Sequence, residues 1–227
     1  MRKTIVVIGL GRFGLGLVKN LALRDVEIIA IDKDKNNVAK VGDIINNAVV
    51  CDSTKAEVLE EVGVTDADNA IIAFGQDSQE NIATTILTVV ALKKVGVKKI
   101  TCRIDDSVYE ELLIKIGADN VIYPFDIASQ SLALKVSSSS VMDYYNISEG
   151  YKVFDILIRE STEPINLMKL NAPTNFGVNI ILVHRGTSTF MPNRESIIKP
   201  GDHIFVFGEE KGVYKLEAFL ENSKEDK

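Results

Sequence analysis

Residues 5–14 read IVVIGLGRFG, an apolar run that ends in the spacing G-x-G-x-x-G. The spacing alone is weak evidence, but here it follows a strand-like run, opens an amphipathic stretch, and precedes Asp32 by about twenty residues. In a dinucleotide-binding fingerprint the first glycine makes a tight turn, the second lets a phosphate approach the backbone, and the third lets the helix pack on the sheet. We assign these roles to Gly9, Gly11 and Gly14, and expect Asp32 to accept hydrogen bonds from ribose hydroxyls.

The pattern around this run alternates between strand and helix. Short Val- and Ile-rich runs are apolar at consecutive positions, which is typical of a parallel sheet buried on both faces; they cover 4–8, 27–31, 49–51, 70–74, 100–103 and 121–123. Amphipathic helical stretches lie between them, at 13–23, 36–41, 55–62, 80–95 and 108–116. Such an alternation predicts an α/β fold of the Rossmann type, a doubly wound parallel sheet with right-handed crossovers.

The regular alternation of predicted strands and helices ends after Pro124. One more helix is expected at 126–136, then a polar serine run, and from Tyr151 a mixture of short strands and helices. We predict two domains, the second smaller and of the α+β class. The expected bounds are 1–140 for the Rossmann-type domain, 141–150 for a linker, 151–220 for the second domain and 221–227 for a disordered tail.

Composition excludes several classes of protein. The 227 residues carry a net charge of −6, with a sequence pI near 5.1, whereas a nucleic-acid-binding protein needs an excess of Lys and Arg. Two unpatterned cysteines form neither a disulfide framework nor a metal cluster. No signal peptide is expected, and the longest apolar stretch, 82–97, is broken by threonines and lysines. We therefore expect the chain to act from the aqueous side of any membrane process that it serves.

Arg12 lies inside the glycine loop, where a cation can reach a terminal phosphate through bidentate hydrogen bonds. That arrangement suits ATP or ADP as well as NAD; the alternative is a solvated loop charge. Further polar residues follow the third, fourth and fifth strands, with helix capping as the alternative for Asp52 and Ser53 and a surface charge as the alternative for Arg103. The predicted nucleotide-binding residues are Gly9, Gly11, Arg12, Phe13, Gly14, Asp32, Lys33, Asp52, Ser53, Gly75, Gln76 and Arg103.

The sequence offers no catalytic machinery. Both histidines, His184 and His203, lie in the second domain, and there is no Walker-type loop, no G-x-S-x-G and no metal-ligand spacing. We predict a binding protein and not an enzyme. The alternatives are an NAD-dependent oxidoreductase and an NAD(H)-responsive nucleotide-binding domain of another ion transporter.

The run VIGLGRFG at 7–14 strongly resembles the start of the regulator-of-potassium-conductance (RCK) proteins, the cytosolic subunits of Ktr and Trk potassium uptake systems. Other stretches are similar as well: AID at 30–32, CDST at 51–54, KIGAD at 115–119 leading to Tyr123-Pro124, and PGDHIFV at 200–206. The resemblance covers nearly the whole chain and includes both domains in this order.

The resemblance implies a cytoplasmic regulatory subunit, held at the inner face of the membrane by the potassium channel or transporter subunit that it gates. It implies homodimers that assemble into an octameric ring, with ATP favouring the active ring, ADP the inactive one, and NAD or NADH acting on some relatives. By motif position Arg12 reaches the terminal phosphate, Asp32 binds ribose, Asp52 contacts adenine and Arg103 contacts phosphate. A cyclic di-AMP site in the second domain is implied at Asn179, Ile180, His184 and Pro192.

One position departs from the family pattern. Close relatives carry a glutamate after the proline of this segment, and it helps to hold a cation between subunits. Here that position is Phe125, followed by Asp126. A shift of one residue usually turns a side chain to another face, so we predict no metal site.

Overall fold

The computed structural model describes residues 2–65, 67–75, 79–138 and 140–222. The chain divides into two compact units, Met1–Asp126 and Ile127–Lys227. Among the residues described, no helix combines the length and the apolar character needed to cross a membrane.

The first unit contains a six-stranded parallel sheet in the order β3-β2-β1-β4-β5-β6, which confirms the Rossmann-type prediction. Its strands are β1 (Lys3–Ile8), β2 (Val26–Asp32), β3 (Ala48–Val50), β4 (Asn69–Ile72), β5 (Ile100–Arg103) and β6 (Asn120–Ile122). Its helices are α1 (Arg12–Leu21), α2 (Lys35–Ala39), α3 (Ala56–Glu61), α4 (Gln79–Lys94) and α5 (Glu110–Ile116), with a 3₁₀ turn at Ser107–Tyr109. The next helix, α6 (Pro124–Ser137), contains the division between the two units.

Both faces of the parallel sheet are buried. On β1, Val6 and Ile8 belong to one hydrophobic cluster, whereas Val7 belongs to another, together with Ala30 of β2. Successive side chains of a strand point to opposite faces, so a strand covered by helices on both sides is apolar at every position. This explains the unbroken apolar runs in the sequence.

The second unit is built on an antiparallel sheet in the order β11-β10-β13-β8-β7, with a separate pair β12-β9. Its strands are β7 (Val141–Ser148), β8 (Tyr151–Leu157), β9 (Ile165–Asn166), β10 (Asn179–Arg185), β11 (Ser188–Phe190), β12 (Ile197–Ile198) and β13 (His203–Glu209). Its helices are α7 (Leu167–Leu170), α8 (Ala172–Phe176) and α9 (Glu210–Asn222). The core joins inward residues of β8 and β13, such as Phe154 and Val206, to Leu216 of α9, so this unit is α+β as predicted.

The structure differs from the prediction of a linker over 141–150. These residues form β7 and a two-residue turn into β8, in which Gly150 has a φ of 79°. Val141 pairs with Ile156 and Tyr144 with Phe154. The aromatic and β-branched residues of the run and the glycine in its turn favour a hairpin, which the polar serine run before it obscured.

The predicted tail also begins too early, because α9 continues through Asn222. Residues 223–227 lie outside the described part of the chain.

Candidate nucleotide-binding site

A cavity of about 560 Å³ opens at the carboxyl edge of the parallel sheet. It lies where the strand order reverses between β1 and β4, the usual place for a ligand in a doubly wound sheet. Of the predicted residues, Gly9, Gly11, Arg12, Phe13, Asp32, Gly75 and Arg103 line this cavity. The lining also includes four residues that sequence reasoning had not assigned to a site: Ala73, Phe74, Pro124 and Phe125.

The glycine loop has the geometry that its three predicted roles require. Gly9 has a φ of 92°, and its N–H donates to the carbonyl of Ile31 at 2.8 Å. A Cβ atom on Gly14 would lie 1.8 Å from the carbonyl oxygen of Gly9, so only glycine lets α1 approach the loop this closely. A Cβ atom on Gly11 would meet no atom within 4 Å, which leaves open space above the backbone for a phosphate.

The start of α1 is electropositive. The first amides of a helix have no intrahelical partner and its dipole favours an anion there. The first turn contains no acidic residue. Arg12 is exposed, and the structure gives it no hydrogen bond or ion pair to any described residue. The guanidinium of Arg12 can therefore turn toward an anion without first breaking a contact within the described part of the chain.

Asp32 is buried and is held by N–H donors on both sides of its carboxylate. Its Oδ2 accepts from the backbone N–H of Leu10 at 2.6 Å and from Asn37 Nδ2 at 3.2 Å, and its Oδ1 accepts from the N–H of Asp34 at 2.8 Å. A carboxylate has about four lone-pair sites, so roughly one remains for a ribose hydroxyl. Asp32 thus ties the glycine loop to the end of β2 besides facing the cavity, a structural role that the motif alone did not reveal.

Arg103, at the end of β5, is enclosed. Its side chain is only 10% exposed, and its Nη2 lies 3.1 Å from Asp105 Oδ2. Its Cζ lies 5.5 Å from the centre of the Phe13 ring and 5.1 Å from that of Phe125, so the cation contacts two aromatic rings. This placement contradicts the alternative of a solvated surface charge. No sequence pattern pointed to Phe125 as part of the cavity, because it lies more than one hundred residues from the glycine loop.

Two predicted residues after β3 do not line the cavity. Asp52 is half exposed and accepts from the N–H of Thr54 at 3.1 Å and from its hydroxyl at 2.7 Å. The Thr54 hydroxyl and then its N–H lower the pKa of Asp52, with a smaller contribution from Lys55. Ser53 is buried, with its Oγ 3.0 Å from Thr88 Oγ1 of α4. These contacts organise the loop after β3.

Three more predicted residues have other positions. Gly14 lies beneath the glycine loop, and Lys33 is exposed beside Asp32 without lining the cavity. Gln76 lies outside the described residues.

The second unit has its own cavity of about 620 Å³, beside α7, α8 and β10. Asn179, Ile180 and Pro192 line it, together with Asn171 and Arg194. His184 does not, and its Nδ1 lies 2.8 Å from Thr189 Oγ1. The structure therefore brings together three of the four residues predicted for this unit.

Comparison with known proteins agrees with this architecture. The TrkA-N domain matches residues 5–124 and the TrkA-C domain matches residues 166–221. The Ktr system potassium uptake protein C of Bacillus subtilis (strain 168) is 32% identical over 225 residues, 99% of this chain and 100% of the relative. The Ktr system potassium uptake protein A of Vibrio alginolyticus is 28% identical, covering 95% of this chain and 97% of the relative.

Solved structures share the fold. The GsuK channel superposes with a TM-score of 0.67 at 17% identity, and a crystal structure of the GsuK RCK domain with 0.64 at 17%. Each alignment covers 100% of this chain but only 41% and 49% of the solved chains, respectively. With a TrkA-N domain followed by a TrkA-C domain along its length, the chain belongs to the regulator-of-potassium-conductance family of Ktr and Trk proteins.

Proposed function

We propose that this chain is the cytoplasmic regulatory subunit of a potassium uptake system, which binds ATP or ADP and thereby gates a membrane-embedded potassium channel or transporter. The observation that carries the proposal is the end-to-end similarity to a Ktr system potassium uptake protein, at 32% identity. The cavity at the carboxyl edge of the parallel sheet supports the nucleotide part of the proposal.

The chemistry of that cavity suits an adenine nucleotide. Among the residues that the structure describes, the charged ones that line it are two cations, Arg12 and Arg103, and one anion, Asp32. Asp32 has capacity left for a ribose hydroxyl, and the open space at Gly11, beside the first amides of α1, suits a phosphate. A 2′-phosphate would meet the carboxylate, so the site disfavours NADP.

Gating requires that ATP and ADP bind differently to the two states of the assembly, because a ligand shifts an equilibrium only by its difference in affinity. The two nucleotides share adenine, ribose and two phosphates, so the difference must come from the γ-phosphate. Arg12 is the group that we assign to it, because its guanidinium is exposed and has no partner among the described residues.

The proposed assembly is a homodimer that builds an octameric ring beneath the transporter. Several helices of the chain carry large apolar side chains that stay exposed in the single chain, as expected of surfaces that pack against other copies. They include Leu87 and Val90 on α4, Leu112 and Ile114 on α5, and Leu132 and Val136 on α6. Sedimentation or light scattering of the purified protein with and without ATP measures this assembly directly.

The decisive experiment titrates the purified protein with ATP, ADP, NAD and NADH by calorimetry. It also measures rubidium flux through vesicles that contain the transporter subunit of the same organism, with and without this protein. Tighter binding of ATP and ADP than of NAD and NADH, with flux that depends on the bound nucleotide, supports the proposal. Preference for NADH favours an NAD(H)-responsive domain of another transporter, and turnover of a nicotinamide substrate favours an oxidoreductase; either result contradicts our assignment.

The cavity of the second unit favours a second ligand, for which we propose cyclic di-AMP. Asn179 and Ile180 offer an amide and an aliphatic surface on one wall, and Pro192 adds a further apolar contact. Titration of the Ile180→Asp variant tests this site, since a carboxylate there would repel a phosphodiester. Unchanged affinity for cyclic di-AMP would contradict the placement of the site.

A further inference from the structure

Two aromatic rings contact the cation at the end of β5. Phe13 lies in the first turn of α1 and Phe125 near the start of α6, and the guanidinium of Arg103 lies over both rings. Both ring centres are 5.1–5.5 Å from Cζ of Arg103, within the distance of about 6 Å at which a guanidinium is attracted to an aromatic face. We call these three residues the arginine clamp.

The two rings add contacts to Arg103 beyond its bonds to Asp105. A guanidinium has five N–H donors in its plane, and an aromatic ring attracts the cation through the electron-rich face of the ring. Asp105 takes bonds from Nε and Nη2, at 3.4 and 3.1 Å. The rings and the carboxylate together hold the cation at the cavity wall before any ligand arrives.

Arg12 provides the contrast. It lines the same cavity but is exposed and makes no hydrogen bond or ion pair to any described residue. An arginine that is already ordered loses less side-chain entropy when it binds an anion than one that is free to move. Arg103 is thus the preorganised cation of the cavity and Arg12 the mobile one.

We propose that Phe13 and Phe125 are positioning residues for phosphate recognition, which hold Arg103 ready for the phosphates that ATP and ADP share. This inference rests on the proposed function, because it requires that the cavity bind a nucleotide. Phe125 is the sharper test of the two. Its side chain is 63% exposed, so its ring contributes little to the core, whereas Phe13 packs against a hydrophobic cluster.

The experiment measures the affinity of the full chain for ADP and for adenosine by calorimetry. Phe125→Leu removes the aromatic face but keeps apolar volume, and Phe125→Tyr keeps the face. We expect Phe125→Leu to weaken ADP binding about three- to tenfold, as a partly desolvated cation–π contact implies, and to leave adenosine affinity unchanged. Phe125→Tyr should bind ADP as tightly as the wild type.

A double-mutant cycle isolates the contact. In the Arg103→Gln background, Phe125→Leu should have no further effect on ADP affinity, because the group that the ring positions is gone. Tyr145→Leu, a change at an exposed aromatic residue of the second unit, is the matched control and should leave both affinities as they are. Thermal unfolding identifies a misfolded variant, and Phe125→Met then replaces Phe125→Leu.

The outcomes separate the two proposals. If the folded wild type binds neither ADP nor ATP, the proposed function fails and the clamp proposal fails with it. If the wild type binds ADP but Phe125→Leu matches it, or weakens adenosine as much as ADP, only the positioning role is overturned. The same holds if Phe125→Leu keeps its full effect in the Arg103→Gln background.

Discussion

The two cavities described above are similar in volume, about 560 and 620 Å³, but are built in different ways. In the first unit, most of the lining residues lie where parallel strands end, so the sheet itself fixes their places. In the second, they come from two short helices, from β10 and from the segment around Pro192. The comparison shows why a motif reveals the first site and only a looser similarity indicates the second.

Their chemistry differs as well. Of the described residues, three charged ones line the first cavity, Arg12, Asp32 and Arg103, whereas Arg194 is the charged residue of the second lining. Charged groups anchor an anionic ligand strongly, while amides and apolar surface recognise shape and base edges. The two sites should therefore respond independently to mutation, and the following variants test that expectation.

The largest effect is expected for Gly14→Ala. Its Cβ would lie 1.8 Å from the carbonyl of Gly9, so the glycine loop must move, and adenine nucleotide binding should fall below detection. Gly16→Ala, in the same helix with open space around its Cβ, is the control and should leave binding intact. Calorimetry with ADP and, separately, with cyclic di-AMP checks both variants. Equal loss of both ligands would show that the two cavities are not independent.

Asp202→Asn should destabilise the second unit by about 2 kcal/mol, because it removes the charge of a buried carboxylate that is paired with the partly exposed Arg185. Asp202 is fully buried and accepts from Arg185 Nε and Nη2 and from the N–H of Lys199, all at 2.7 Å. Asp143→Asn, at an exposed ion pair with Lys135, is the control and should cost less than about 1 kcal/mol. Urea unfolding, followed by signals from the second unit, measures the free energy of unfolding of both variants. Equal losses of stability in the two variants would contradict the structural role of Asp202.

The same pair predicts a pH dependence. Burial raises the pKa of Asp202, but the bonds from Arg185 and Lys199 outweigh it and hold the pKa below the ordinary value of 3.8. A depressed carboxyl pKa stabilises the folded state above pH 3.8, and this contribution is lost as the pH falls through the folded-state pKa. The stability of the wild type should thus fall more steeply below pH 4 than that of Asp202→Asn.

Asp32→Ala should weaken ATP, ADP and adenosine binding alike, by roughly ten- to a hundredfold. The carboxylate serves the ribose, which all three ligands share, and its bond from Leu10 N–H holds the glycine loop. Asp25→Ala, at an exposed residue paired with Arg2, is the control. Unchanged adenosine affinity, or a gain in ATP affinity, would contradict the assignment of Asp32 to ribose.

Arg12→Ala should have the smallest effect, on selectivity between ATP and ADP. We expect about a tenfold loss of ATP affinity with little change for ADP, because only the γ-phosphate loses its partner. Lys19→Ala, an exposed cation on the same helix, controls for the change in net charge. If the ratio of ATP to ADP affinity is unchanged, a residue other than Arg12 distinguishes the two nucleotides.

Much of the first unit follows from the sequence because its determinants are local. The first two apolar runs, the glycine spacing and the acidic residue at the end of β2 lie within about thirty residues of each other, and parallel strands place their ends at one edge. The enclosure of Arg103 does not follow, because it depends on rings from α1 and α6 meeting in space. Ser53 could not be placed from the sequence either. Its hydroxyl is buried against Thr88 of α4 and does not line the cavity.

In the second unit, a shift in strand register explains why His184 does not line the cavity with the other residues predicted for this site. Ile180 and His184 are four residues apart, so a regular strand would point both to the same face. The register of β10 against β13 shifts between Ile180 and Leu182, which inserts one residue and reverses the alternation. His184 therefore bonds to Thr189 while Ile180 lines the cavity. A bulge of this kind leaves no clear mark in a sequence.

The lining of the first cavity runs from Gly9 to Phe125, nearly the full length of its unit. A nascent chain consequently has no complete pocket until its sixth strand has been made and the whole parallel sheet has closed. A nucleotide that binds only the finished unit, as proposed above, would add about 4 kcal/mol to its stability at a thousand times the dissociation constant. Loss of nucleotide would then lower the stability of the protein in a cell.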